Sequence, residues 1–103
     1  MLEASAADSY DTELRRVVDR LRSLPIAKLE ASQDIVESLA LQLLCDAQSL
    51  GSAAPAGGLP QLKPWGYGDM IMVLGSDLRM LATQDAELTS SLAALTAARQ
   101  QLP

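Results

Sequence analysis

The chain has 103 residues, room for one domain with a modest core, and a formal net charge of −5. It has no His, no Phe, one Cys and one Trp, which excludes imidazole bases, His-based triads, His metal sites and an internal disulfide, while the acidic balance opposes phosphate backbones and anionic lipid surfaces. Leu (19) and Ala (16) make up a third of the residues; both are strong helix formers, so the composition predicts an all-α protein, a bundle of three or four helices with a long or kinked C-terminal heptad helix.

In chain order, residues 1–9 read as a flexible acidic tail and residues 10–103 as a single helical domain. The tail has neither the basic start nor the continuous apolar run of a secretory signal. No apolar run is longer than the five residues 70–74, far short of the roughly 18 residues of a membrane span. A cytoplasmic protein with no membrane segment is therefore expected.

The first helix is predicted in DTELRRVVDRLRSLP, where Leu14, Val17, Val18, Leu21 and Leu24 recur at helical spacing. Asp11 or Thr12 is placed to cap its start, and Pro25 forbids its continuation. Arg15, Arg16, Arg20 and Arg22 form the only basic cluster. Asp11 precedes Arg15 by four residues and Asp19 precedes Arg22 by three, spacings that neutralise charge locally on a helix, so a solvated flank is expected. An accessory role on nucleic acid through these arginines is the alternative, and nucleic acid is not favoured as a partner.

The segment IAKLEA reads as a connector that returns Ile26 and Leu29 to the core. A second helix follows in SQDIVESLALQLLCDAQSLG, with Ser32 as its cap, Asp34 and Glu37 near the positive end of its dipole, and Ile35, Val36, Leu39, Ala40, Leu43, Leu44, Ala47 and Leu50 on a wide apolar face. Cys45, set among leucines with no cation nearby, is expected to be a buried, inert thiol. Gly51 stands where a left-handed C-terminal cap belongs. Residues 51–64 hold three Gly and three Pro and form a linker that Leu59 and Leu62 tack down.

In PWGYGDM, Pro64, Gly66 and Gly68 turn the chain and Asp69 is placed to cap a helix from Met70. Trp65, Tyr67, Met70 and Met72 make a candidate partner surface, because large rings and pliable thioethers suit a second protein. Gly75, inside a helix, costs about 1 kcal/mol relative to Ala and implies close approach of another element. Leucines then stand at 74, 81, 88, 95 and 102, interleaved with Ile71, Leu78, Asp85, Leu92 and Arg99. That is a heptad seam. No Gly or Pro interrupts residues 76–102, so a continuous or kinked helix of about 34 residues, roughly 50 Å long, is expected, with a new helix capped by Thr83 as the alternative. Such a rod would overhang the first two helices, which favours a homodimer through Ile71, Leu74, Leu78, Leu81, Leu88, Leu92 and Leu95, with the core of a monomeric up-and-down bundle as the alternative place for these residues. Asp85 and Arg99 are charges in the seam, to be paired across an antiparallel dimer or, for Arg99, placed at its rim.

The function these features predict is a non-enzymatic intracellular interaction or regulatory module, self-associating through the leucine seam, open to a protein partner and without cofactor or metal. The segments VVDRLRSLP and GDMIMVLGSDLRMLA together resemble small, functionally uncharacterised Ala- and Leu-rich helical proteins of high-GC bacteria, over about a quarter of the chain; that resemblance implies no activity. Trp65, Gly66, Tyr67 and Gly68 are also similar to the turn motif of the secreted Trp-x-Gly helical-hairpin family, whose members dimerise. The order here is Trp-Gly-x-Gly, and it follows a Gly- and Pro-rich linker.

Overall fold

The computed structural model describes residues 5–52 and 62–103; the expectations for residues 1–4 and for the middle of the linker, Leu59 included, lie outside them. Five α-helices are described: α1 (Ala6–Ser23), α2 (Ile26–Ala31), α3 (Gln33–Ser49), α4 (Tyr67–Leu81) and α5 (Thr89–Gln101). No strand occurs among the described residues. The fold is all-α.

Helix α1 starts at Ala6, inside the stretch expected to be a flexible tail, because Ser5 accepts the Asp8 N–H at 3.1 Å and Asp8 lies at the positive end of the dipole. Neither Asp11 nor Thr12 is the cap. The earlier start carries Tyr10 into the helix, where it is fully buried. At the other end Leu24 is extended ahead of Pro25, as the residue before a proline prefers. The connector 26–31 is a helix, α2, with Leu29 buried but Ile26 left exposed, contrary to its expected return to the core. Ser32 does not cap α3. Its buried hydroxyl donates to the Lys28 carbonyl at 2.8 Å, and the chain passes from α2 into α3 through a single turn. Gly51 has φ +104°, the left-handed cap its position called for.

The C-terminal heptad stretch is two helices, not one rod. Ala82 turns extended (φ −72°, ψ 126°) and ends α4. Gln84, also extended, opens a 3-10 turn at Asp85–Leu88 that leads into α5. The Glu87 carboxylate accepts the Thr83 N–H (3.0 Å), the Gln84 N–H (2.9 Å) and the Thr83 hydroxyl (3.0 Å), while the Gln84 side chain accepts in return, a capping box. Asp85 therefore lies exposed in a turn, where there is no seam to be charged. The break also resolves the overhang. Helices α1 and α3 have 18 and 17 residues; cut in two, the C-terminal third lays both of its halves on them.

Helices α1 and α3 each pack against both α4 and α5, and these four pairings are the main ones between helices. The Cα envelope measures 40 × 38 × 16 Å, so the thin direction is two helix layers deep. Tyr10, Val17, Val18, Leu43, Ile71, Leu78, Leu88 and Leu95 are wholly buried between them, and full burial of such a side chain contributes about 1.5–3 kcal/mol. Gly75 meets Leu14 of α1: a Cβ there would stand 2.5 Å from one Leu14 methyl carbon. The Tyr10 hydroxyl donates to the Gly75 carbonyl at 2.6 Å. The close approach expected at this glycine is present.

Candidate protein-interaction surface

The polar interior ties helices together. Ser91, fully buried, donates its hydroxyl to Asp46 Oδ2 at 2.5 Å, and Gln42 donates to Asp46 Oδ1 at 2.9 Å, which joins α5 to α3. Arg99 grips Glu13 of α1 with two hydrogen bonds of 2.6 and 3.1 Å, and Arg16 adds a looser contact at 3.6 Å. Arg99, expected at a rim or across a dimer, is thus paired within its own chain, and those bonds hold its guanidinium pKa above the ordinary value. Burial, with Asp11 and Asp46 nearby, pushes the Tyr10 phenol above the usual tyrosine range. Among the described residues, every buried side-chain N and O atom has a partner, and no three His, Cys, Asp or Glu gather as metal ligands.

The arginine cluster is dispersed. Arg22 reaches across to Asp69 of α4 at 2.8 Å, Arg20 donates to the Pro103 carbonyl at 2.5 Å and Arg16 turns toward Glu13. The expected local pairs do not form: Asp11 binds Arg79 of α4 at 3.2 Å instead of Arg15. Asp69, thought to cap a helix from Met70, sits in the first turn of a helix that starts at Tyr67. Cys45 is exposed, correcting the buried thiol, because it falls on the side of α3 opposite Val36 and Leu43.

The leucine seam divides. Ile71, Leu78, Leu88 and Leu95 lie in the chain's own core, Leu74 and Leu92 pack against its edge, and Leu81 is 37% exposed. In α4 the buried set is Tyr67, Gly68, Ile71, Gly75 and Leu78; in the last stretch it is Leu88, Ser91, Leu95, Ala98 and Leu102. The sevenfold repeat of leucine persists through the corner, but the face turned inward changes. Those buried leucines hold the subunit together and are closed to a partner.

The candidate partner surface is also split. Tyr67 is buried, Trp65 is 68% exposed, and Met70 and Met72 point to different sides of α4, since two residues along a helix rotate the side chain by about 200°. Met70 lines a groove of about 520 Å³ between α3 and the start of α4, with Val36 and Tyr67 beneath it, Leu41, Leu62 and Pro64 beside it, and Glu30, Gln33, Glu37 and Lys63 around it. Met72 is not part of it and takes a 3.5 Å contact from the Ser76 hydroxyl. No family model, curated protein or solved structure matches the chain.

Beyond the groove, α4 leaves further apolar residues uncovered, with the exposed Asp77 between them. Val73 is 58% exposed and Met80 84%, seven residues apart, and Leu41 on α3 is 52% exposed. The seam reading missed all three. For Val73 a signal is present in Met70–Leu74, five consecutive apolar residues: such a run covers every side of a helix, so a helix with only one side in the core must leave some of them outside. No described helix is long and apolar enough to cross a membrane.

Proposed function

We propose that this chain is a non-enzymatic helical interaction module of the cytoplasm that receives a helix of another protein along the outer face of α3 and α4. The observations that carry this reading are the groove lined by Leu41, Leu62, Pro64 and Met70 and the exposed Val73, Met80 and Leu81 farther along α4. Scattered exposed apolar residues are ordinary, but a groove with several exposed apolar residues on the adjoining helix of a small subunit marks a place where another surface fits. Helix-in-groove recognition uses anchors spaced three, four and seven apart, and Met70, Val73, Leu74, Met80 and Leu81 have those spacings. The exposed thiol of Cys45, the only cysteine, suits a reducing compartment. The role on nucleic acid is the weaker reading, since only Arg15 of the four clustered arginines has no hydrogen bond or ion pair with a described residue.

Trp65, the single tryptophan, is exposed and follows Pro64, which lines the groove, so its emission is the readout chosen for binding there. The test titrates the protein with 18-residue amphipathic helices that carry Leu on one face and Lys, Gln or Glu beside it. At least one version is expected to shift Trp65 emission to the blue with saturation, and the Val73→Asp, Met80→Asp double variant, altered only at exposed positions, is expected to lose the response and keep its helicity. No saturable response from any version overturns the reading. So does a mass in sedimentation that doubles from 10.9 kDa with rising concentration and returns to one subunit in the double variant, because the surface would then belong to a second copy.

A further inference from the structure

The charges around this surface specify its occupant. Glu30 and Glu37 border the groove and Lys63 is the one cation lining it. Asp77 lies on α4 four residues from both Val73 and Leu81, hence on the same side of the helix. All three carboxylates are exposed. Glu30 and Asp77 make no ion pair or hydrogen bond with a described residue, and Glu37 takes only a 3.2 Å bond from Gln33, so their charge is not neutralised within the subunit. By contrast Asp69 and Asp11, elsewhere on the α1 side, are paired with Arg22 and Arg79.

Resting on the docking reading above, we infer that the partner is a basic amphipathic helix: apolar residues set against Leu41, Met70, Val73 and Met80, and Lys or Arg on its flanks set against Glu30, Glu37 and Asp77. A second copy of this chain meets the opposite electrostatics. Paired through the same surface, two subunits of net charge −5 would bring one set of unneutralised carboxylates toward the other, and like charges facing across an interface suppress association. An acidic or neutral helix would gain the apolar burial alone. Charge at the rim of an interface acts chiefly on encounter rate and partner choice, and it is screened by salt.

The experiment compares the Lys-, Gln- and Glu-flanked helices, identical on their apolar faces, by Trp65 emission in low salt and again in 0.5 M NaCl. The Lys version is expected to bind about tenfold more tightly than the Glu version, with the gap closing at high salt. In the Glu30→Lys, Glu37→Lys, Asp77→Lys variant the order is expected to reverse, with helicity by circular dichroism confirming the fold. Equal binding of all three helices in low salt overturns the charge inference and leaves the docking surface standing. Failure of every helix to bind removes the docking reading itself. An unchanged preference for Lys in the triple variant also overturns the inference, since the selectivity would then originate elsewhere.

Discussion

At Gly75 the packing of the protein is set by a missing methyl group. The residue lies mid-helix, its carbonyl receives the Tyr10 hydroxyl, and both Leu14 methyl carbons occupy the space where a Cβ would go, at 2.5 and 2.8 Å. Gly75→Ala gains about 1 kcal/mol of helix propensity but forces Leu14 from its place at a cost of about 1–3 kcal/mol, in addition to any strain on the tyrosine bond. The expected outcome is a net loss of up to about 2 kcal/mol, seen as a lower urea midpoint with an unchanged slope; a stabilised variant would show that α1 and α4 separate freely. The need for close approach was readable from a glycine placed inside a helical pattern. Which residue approaches was not, since Leu14 lies 61 positions earlier in the chain. Tyr10 stands four before Leu14 and seven before Val17, on the same helical face, but a helix expected to start at Asp11 or Thr12 leaves it out. Cys45 illustrates the opposite error: apolar neighbours in sequence say nothing about which side of a helix a thiol occupies.

At the level of elements, the corner at Ala82–Gln84 determines what the leucine repeat means. Leu81 and Leu88 are consecutive rungs of one sevenfold ladder, yet Leu88 is wholly buried and Leu81 is more than a third exposed. Leu88→Ala is therefore expected to cost about 2–5 kcal/mol, and Leu81→Ala, at a side chain only partly covered, about 1 kcal/mol. Chemical denaturation of the two variants side by side checks this; equal losses would restore a single continuous seam. The hydrogen bonds from the Thr83 N–H, the Thr83 hydroxyl and the Gln84 N–H hold the Glu87 carboxyl below its ordinary range. The bonds to the charged form are thus fully present above the unfolded glutamate value of about 4.3 and are lost as pH falls through the lower folded value. Helix ends at Pro25 and Gly51 were legible because they depend on one residue's own backbone. The corner was harder to see because no Gly or Pro marks it; its signal was Gln84 followed three residues later by Glu87, a capping box built from a glutamine where Ser or Thr is usual.

For the whole molecule, joining α1 to α5 falls to Glu13 and Arg99, whose side chains are 12% and 36% exposed and lie 86 residues apart. Two charge-assisted bonds in a partly dry setting are strong for their kind. Glu13→Gln removes the charge, keeps the shape and leaves Arg99 partly buried, so a loss of about 1–3 kcal/mol is expected. Addition of 1 M NaCl should lower the stability of the parent more than that of the variant in thermal unfolding; identical salt responses would show the pair to be idle.

The sequence by itself determined the helical class, the stops at Pro25 and Gly51, and the presence of a tight approach at Gly75, because helix propensity, ring closure and the lack of a Cβ act within a few residues. Tertiary structure decided which leucines face inward, that the last third folds back over α1 and α3 instead of running on as a rod, and that Val73, Met80 and Leu41 are left outside. A repeat fixes which side chains share a stripe, but the direction that stripe faces depends on where the neighbouring helices stand. That is set by the balance of burial over the whole chain.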